Sequence, residues 1–446
     1  MDEICNAMNR SRIRIALLGL LAFGYAAQLF SPLRTNTDAT CYLEMAASAS
    51  DGAGFVCCEN AKHYPVGYPA ILACLDRAGI ACSSIIIGLN LIALTVGLIA
   101  AAYLLRESFG WTSQAILLAA IATLLNWVVI KHVTLPITDT LFFGLSLACL
   151  ACLTHASKLE YPEKLTSLMP GLALLLASIL VRTVGITLIP AFLFAALNSS
   201  TVIQAGRAIG KNRIALIGLA AGICLIGLAG VAVIARTNYF REMLENRVDV
   251  IALATLRLDD WGELILNSSM AKLPRAMRSL SLIAGVLGAS LLAFGFARRR
   301  RIQAIDIYLA AYLAILFAWP YRDARFWIPV LPLMLGHVAA GYQRLVSNPL
   351  HSRLLLPVYG AVYTLLGLVA IGYSTWLSFS GDRFGDRFAG GVYAGSYREA
   401  FGHRSDSPNG HAKVDPQIAR LLERYQLARP SIMPKPALKS ASLRLR

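Results

Sequence analysis

Charge is what this sequence has least of. Only 15% of its 446 residues are Asp, Glu, Lys or Arg, against about 25% in a soluble globular protein. Acidic residues are the scarcer half, 25 against 41 basic ones, for a net charge of +16. So thin a charged surface excludes a nuclease or any other soluble-type enzyme. No basic stripe interleaved with aromatic residues is present, which argues against nucleic acid as a partner despite the positive balance. No Cys/His zinc spacing is present either, which removes the zinc-site classes. Solenoid repeats are missing, and so are the inverted repeats of transporter halves.

What fills the chain instead is apolar. Hydrophobic residues make up 57% and the mean hydropathy is +0.60. Apolar runs of about 18 residues or more recur, each long enough to cross a bilayer as a helix. The fold class is therefore an all-α, polytopic integral membrane protein. The basic residues gather at the ends of the runs, as the positive-inside rule and anionic headgroups require. A partner carrying phosphate stays open, since phosphate needs Arg and Lys wherever it binds.

Arg10, Arg12 and Arg14 precede the first run, "IALLGLLAFGYAAQLF", with no clear cleavage site after it. This predicts an uncleaved first helix with its N-terminus in the cytoplasm, and a first outer loop over residues 31–83. Further spans are expected at about 84–105, 113–130, 136–155, 213–235, 277–297, 303–320, 326–343 and 354–376. Residues 168–198 are too long for one span and carry Arg182 at their centre, beside Gly185. Two short helices hinged near Arg182 bring that charge to the outer surface. They also put Arg298, Arg299, Arg300 and Arg301 in the cytoplasm, where a single span would put them outside. The count is about eleven crossings. Residues 1–376 form the transmembrane domain and 377–446 a polar tail with a "GDRFGDRF" duplication, placed outside the cytoplasm. Cys41, Cys57, Cys58, Cys74 and Cys82 fall within the first outer loop. In an oxidising compartment they allow one or two disulfides of open pairing; the alternative is small buried hydrophobes.

Few residues are left to carry chemistry. Asp38, in "TNTDATCYLEMA", stands at the start of an amphipathic helix, where an acid also serves the backbone amides and the helix dipole. "HYPVGYP", residues 63–69, holds His63, Tyr64 and Tyr68 between turn-forming prolines and Gly67. Tyrosine is common at membrane interfaces without any site. Asp139 opens the run "TDTLFF", just after Lys131 and His132. Arg182 lies in "VRTVGITLIP", and Arg322 and Arg325 flank Asp323 in "YRDARFWIPVLP".

Taken in order, four stretches resemble the GT-C glycosyltransferase superfamily in its lipid-linked-sugar branch, which includes aminoarabinose transferases and protein O-mannosyltransferase-like enzymes. They are Asp38 with Tyr42, Met45 and Ala46; "HYPVGYP"; "VRTVGITLIP"; and "ARFWIPVLP", spread over about residues 10–345. Thr138–Asp139 resembles the family's second acidic motif. Val66 stands where many relatives have a proline.

The resemblance implies a GT-C fold and transfer of a sugar from a polyprenyl phosphate or diphosphate to a lipid, glycan or protein acceptor. It implies an outer-face active site in a bacterial inner membrane. Such a reaction needs one carboxylate as base and cations for the departing phosphate; a hydrolase more usually needs two paired carboxylates. Asp38 is then the base, with Asp139 orienting the acceptor or supporting the site. His63, Tyr64, Tyr68, Lys131, Arg182, Arg322 and Arg325 line the substrate and phosphate. Some relatives use a divalent metal (Mg or Mn), for which Asp38, Asp139 and His63 are the candidates here. The rival readings are a flippase for a lipid-linked glycan, which predicts duplicated halves, and a non-catalytic assembly protein, for which Asp38 is dispensable.

Overall fold

The structure is a computed structural model. It describes residues 2–57, 64–160, 163–197, 249–269, 274–345, 355–380, 384, 395–397 and 415–425. His63, Cys58 and the span expected at 213–235 lie outside the described residues. No strand occurs among the described residues. In hydrocarbon every backbone amide must be satisfied within its own segment, so a chain this apolar resolves into helices.

Helix α1 covers Asp2–Ala27 and is followed by a short 3₁₀ turn, Gln28–Phe30. The first outer loop contains α2 (Thr37–Ser50) and α3 (Gly67–Arg77). Then come α4 (Ser83–Phe109), α5 (Ser113–Leu125), α6 (Trp127–His132), α7 (Thr138–Ala156) and α8 (Glu163–Val181). A 3₁₀ turn over Thr183–Thr187 leads into α9 (Leu188–Leu197). The later helices are α10 (Val250–Leu266), α11 (Arg275–Ala297), α12 (Ala304–Ala318), α13 (Leu331–Leu345, entered through a 3₁₀ turn at Ala324–Val330), α14 (Leu356–Ser378) and α15 (Pro416–Tyr425). Among the described residues six segments are long and apolar enough to cross a membrane, and four shorter apolar ones accompany them. The protein is a multi-pass membrane protein.

Burial separates the centre of the bundle from its rim. In α7 and in the segment Ala324–Leu345, 72% of the apolar window is buried; in α14 only 11% is. Helix α7 packs on α4, α8 and α9. It approaches α4 closely because residue 144 is glycine: a Cβ there would sit 2.5 Å from the Ala93 carbonyl oxygen. The sparsely buried α14 and α11 present Val358, Leu365, Val369, Ile283 and Leu287 outward, the surface that lipid covers.

Three local features depart from a list of apolar runs. The run at 113–130 is not one helix but two, broken at Asn126, whose extended backbone ends α5. The broken backbone is satisfied by side chains from afar. Asn126 caps Val128 N at 3.1 Å, and Asn267 accepts from Trp127 N at 2.8 Å while donating to the Leu125 carbonyl at 3.0 Å. Between the spans expected at 213–235 and 277–297 lies the helix α10, packed along α11. The chain does break at Arg182, which is extended (φ −151°, ψ 129°) between α8 and the 3₁₀ turn. The tail also turns back on the first loop. Ile418, Leu421, Leu422 and Tyr425 of α15 are buried, and Arg424 pairs with Asp51 at 2.8 Å and Asp76 at 2.6 Å.

Candidate active site

Asp38 sits in the first turn of α2, where an acid would ordinarily serve the free amides. Asn36 does that work instead: its Oδ1 accepts from Ala39 N at 2.8 Å. The Asp38 carboxylate is left for side chains. Its Oδ1 accepts from the Tyr64 hydroxyl at 2.8 Å and its Oδ2 pairs with Arg325. The side chain is 26% exposed, so a substrate can reach it.

Tyr64 is aimed by "HYPVGYP". Pro65, Val66 and Gly67 turn the chain into α3, and α3 lies against the end of α8. A Cβ at Gly67 would stand 2.7 Å from the Leu180 carbonyl, so only glycine lets the two backbones meet. That contact sets the Tyr64 turn two residues from the Arg182 break. The Tyr42 ring stands edge-on to both Tyr64 (5.1 Å) and Tyr68 (5.8 Å). Cys41 and Cys57 form a disulfide, packed with Met45 against Tyr64. Tyr42, Met45 and Ala46 thus hold α2 against the turn that faces Asp38.

Behind Asp38 lies an ionic network from three other parts of the chain. Asp139, 1% exposed in the first turn of α7, pairs with Arg182 from the α8–α9 break. Arg325 lies between the two acids: it pairs with Asp38, its Nη1 is 4.0 Å from Asp139, and its Nε is 2.8 Å from Asp323. A 3₁₀ turn presents this arginine, fixed where Asp323 caps Arg325 N at 3.0 Å and Tyr312 donates to the Phe326 carbonyl at 2.6 Å. The Phe326 ring carries the guanidinium groups of Arg182 at 5.3 Å, Arg325 at 5.4 Å and Arg257 at 6.0 Å. An aromatic face attracts cations, so one ring gathers three of them. His132 closes the rear, its Nδ1 2.7 Å from the Val128 carbonyl. Burial pushes this imidazole down to about 4, so it is a neutral group at physiological pH.

A second cluster adjoins the first through Arg257. This arginine is fully buried, pairs with Asp260 at 2.8 Å and donates to the Trp319 carbonyl at 2.7 Å. Arg322 is held by Asp259 at 2.5 Å, Asp260 at 3.1 Å and Glu263 at 2.9 Å. Burial pushes the Asp260 carboxyl up to about 6.

The structure thus brings together Asp38, Tyr64, Asp139, Arg182 and Arg325. It places Arg322 in the neighbouring cluster, surrounded by carboxylates. Tyr68 is fully buried, packed behind Tyr42. Lys131 is on the surface, 5.9 Å from the Trp127 ring centroid. Among the described residues no group of three His, Cys, Asp or Glu is set to hold a metal ion. Asp38 and Asp139 both face the guanidinium of Arg325, and a divalent ion between them would have to displace that cation, so these two residues do not fit a metal as they stand. The residues not foreseen are Phe326 and Arg257. Phe326 lay inside a quoted motif with nothing to mark its ring as the meeting point of three arginines.

Known structures share the fold. ArnT from Cupriavidus metallidurans, solved bound to undecaprenyl phosphate, superposes over 92% of this chain and 84% of its own, at 14% identity and a TM-score of 0.50. The chain has the GT-C fold. The archaeal oligosaccharyltransferase AglB from Archaeoglobus fulgidus, in complex with an inhibitory peptide and a dolichol-phosphate, superposes over 90% of this chain and 60% of its own, at 13% identity and a TM-score of 0.42. No protein-family model matches the sequence, and no curated protein matches it significantly. Within this fold the ionic network joins the first loop, the start of α7, the α8–α9 break and the turn before α13.

Proposed function

We propose that the protein is an inverting glycosyltransferase that moves a sugar from a polyprenyl phosphate or diphosphate to a lipid, glycan or protein acceptor. One observation carries the reading. Asp38 is a reachable carboxylate relieved of its capping duty by Asn36, and it is set against Arg325 and, behind it, Arg182, both half-buried. The GT-C fold adds support, and ArnT is solved with a polyprenyl phosphate bound.

The chemistry follows from those groups. The donor's phosphate is a good leaving group and requires no strong general acid. It takes a place on Arg325, and Arg182 beside it shares the charge that develops as the C1–oxygen bond breaks. Exchange of partners on Arg325 frees Asp38, which accepts the proton of the acceptor hydroxyl as that oxygen bonds to C1. Attack on the face opposite the phosphate inverts the anomeric centre. Asp139 holds Arg182 in place, Tyr64 orients Asp38, and Lys131 extends the cationic mouth; His63 is a further candidate for the phosphate. Arg322, bound by three carboxylates, supports the neighbouring wall. A groove between spans takes the prenyl tail. The site and the tail after residue 377 face outward from a bacterial inner membrane, with the N-terminus in the cytoplasm.

The test is an assay with the purified protein and a panel of radiolabelled polyprenyl-phosphate sugars, with membrane extract as acceptor. The expected result is label moved to the acceptor together with release of unlabelled polyprenyl phosphate. Lipid carried across vesicles with no label transferred would replace the transferase by a flippase.

A further inference from the structure

The Asp38 network stands at one end of α4, and a separate feature stands at the other. The N-terminal Ser83 of α4 bonds the Ser31 carbonyl of the first loop at 3.0 Å. Its last residue, Phe109, lies 4.5 Å beneath the guanidinium of Arg299. With 27 residues α4 is about 40 Å long, so the Arg298–Arg301 turn is a bilayer's depth from the site.

That turn is rigid. Arg299 is pinned inward by Asp306 at 2.9 Å and by the Ser108 carbonyl at 2.9 Å. Arg344 of α13 holds the Arg298 carbonyl at 2.8 Å. Arg300 and Arg301 are exposed, with no acidic partner among the described residues. Between α11 and α12, the two helices this turn joins, runs an apolar groove of about 340 Å³ lined by Ala289, Leu292, Ala293, Phe296, Leu309 and Leu313. From Ala289 to Ala297 it is about 12 Å long, and it leads to the arginine turn.

We infer that this groove and turn form a specific site for an anionic phospholipid of the surrounding bilayer, with one acyl chain between α11 and α12 and the phosphate at Arg300 and Arg301. The groove offers no polar atom, so its occupant is hydrocarbon. The cations at its mouth select a negative headgroup, and the pinned backbone of the turn keeps both at the groove's end. The site is independent of the reaction proposed above.

Native mass spectrometry of the full chain, delipidated and then given equal phosphatidylglycerol and phosphatidylcholine, tests it. Wild type is expected to retain phosphatidylglycerol preferentially. The double variant R300Q/R301Q should lose that preference by on the order of thirtyfold, and Ala293→Phe, which fills the groove, should lose the bound lipid. Unchanged elution and melting of the lipid-free variants would show them folded. Inorganic phosphate should not compete, because it lacks the chain. Equal retention of both lipids by wild type, unchanged selectivity in the double variant, or displacement of phosphatidylglycerol by undecaprenyl phosphate would each overturn the proposal.

Discussion

At the scale of single residues, the site depends on arginines whose partners are carboxylates. Asp139 is almost wholly buried and its charge is balanced by Arg182 and Arg325. Removing one partner leaves a charge stranded, which costs more than the pair itself contributes. Arg182→Met should therefore destabilise the protein by about 3–5 kcal/mol, and adding Asp139→Leu should recover most of it. Denaturation of the two variants beside wild type checks this; additive losses would show that the pair is not coupled. Arg325→Lys should abolish most transfer although charge is kept, because a single ammonium cannot hold Asp38, Asp139 and Asp323 at once. The same guanidinium argues about metal: with Arg325 between the two acids, EDTA should leave the transfer rate unchanged. Loss of activity restored by Mg or Mn would show that a divalent ion displaces this arginine.

At the scale of elements, the site depends on backbones that meet at glycine. Gly67→Ala would drive a methyl into the Leu180 carbonyl. Overpacking of this kind costs about 1–3 kcal/mol, and here it would also tilt the Tyr64 turn away from Asp38. Lower transfer with a modest loss of melting temperature is the expected outcome; wild-type activity would mean that α3 and α8 move apart freely. The break at Arg182 was legible in the sequence, because a charge among apolar residues and a run too long for one span point the same way. The break at Asn126 was not, since hydropathy averages over one polar residue and its partner Asn267 is far along the chain. Asp38, Asp139 and Arg325 could be named, but their common centre could not, because the Phe326 ring that gathers the arginines is one aromatic among many. The docking of α15 was missed although its signal was present. Ile418, Leu421, Leu422 and Tyr425 fall at helical spacing on one face, hidden by the polar composition around them.

At the scale of the whole molecule, the first loop is tied both to the chain after residue 377 and to α14. Tyr397 donates to the Leu33 carbonyl at 2.6 Å, and Arg34 donates to the Ser374 hydroxyl and carbonyl of α14 at 2.9 and 3.0 Å. Helix α15 then covers α2, which carries Asp38. The hydrogen bond from Arg424 holds the Asp51 carboxyl below its ordinary value of 3.8. A lowered value means that this contribution to docking is complete above the ordinary value and falls away as the pH drops below it. The melting difference between wild type and Arg424→Gln should therefore be constant near neutrality and shrink toward about pH 3. A difference that grew on acidification would contradict this pairing.

The central claim is that Asp38 is the base of a sugar transfer. The most direct measurement is the rate of transfer by folded Asp38→Asn beside wild type, with the same polyprenyl-phosphate sugar and acceptor. The account predicts a fall of about 10²–10⁴-fold with donor binding retained. Equal rates in the two proteins would contradict it and remove Asp38 from the chemistry.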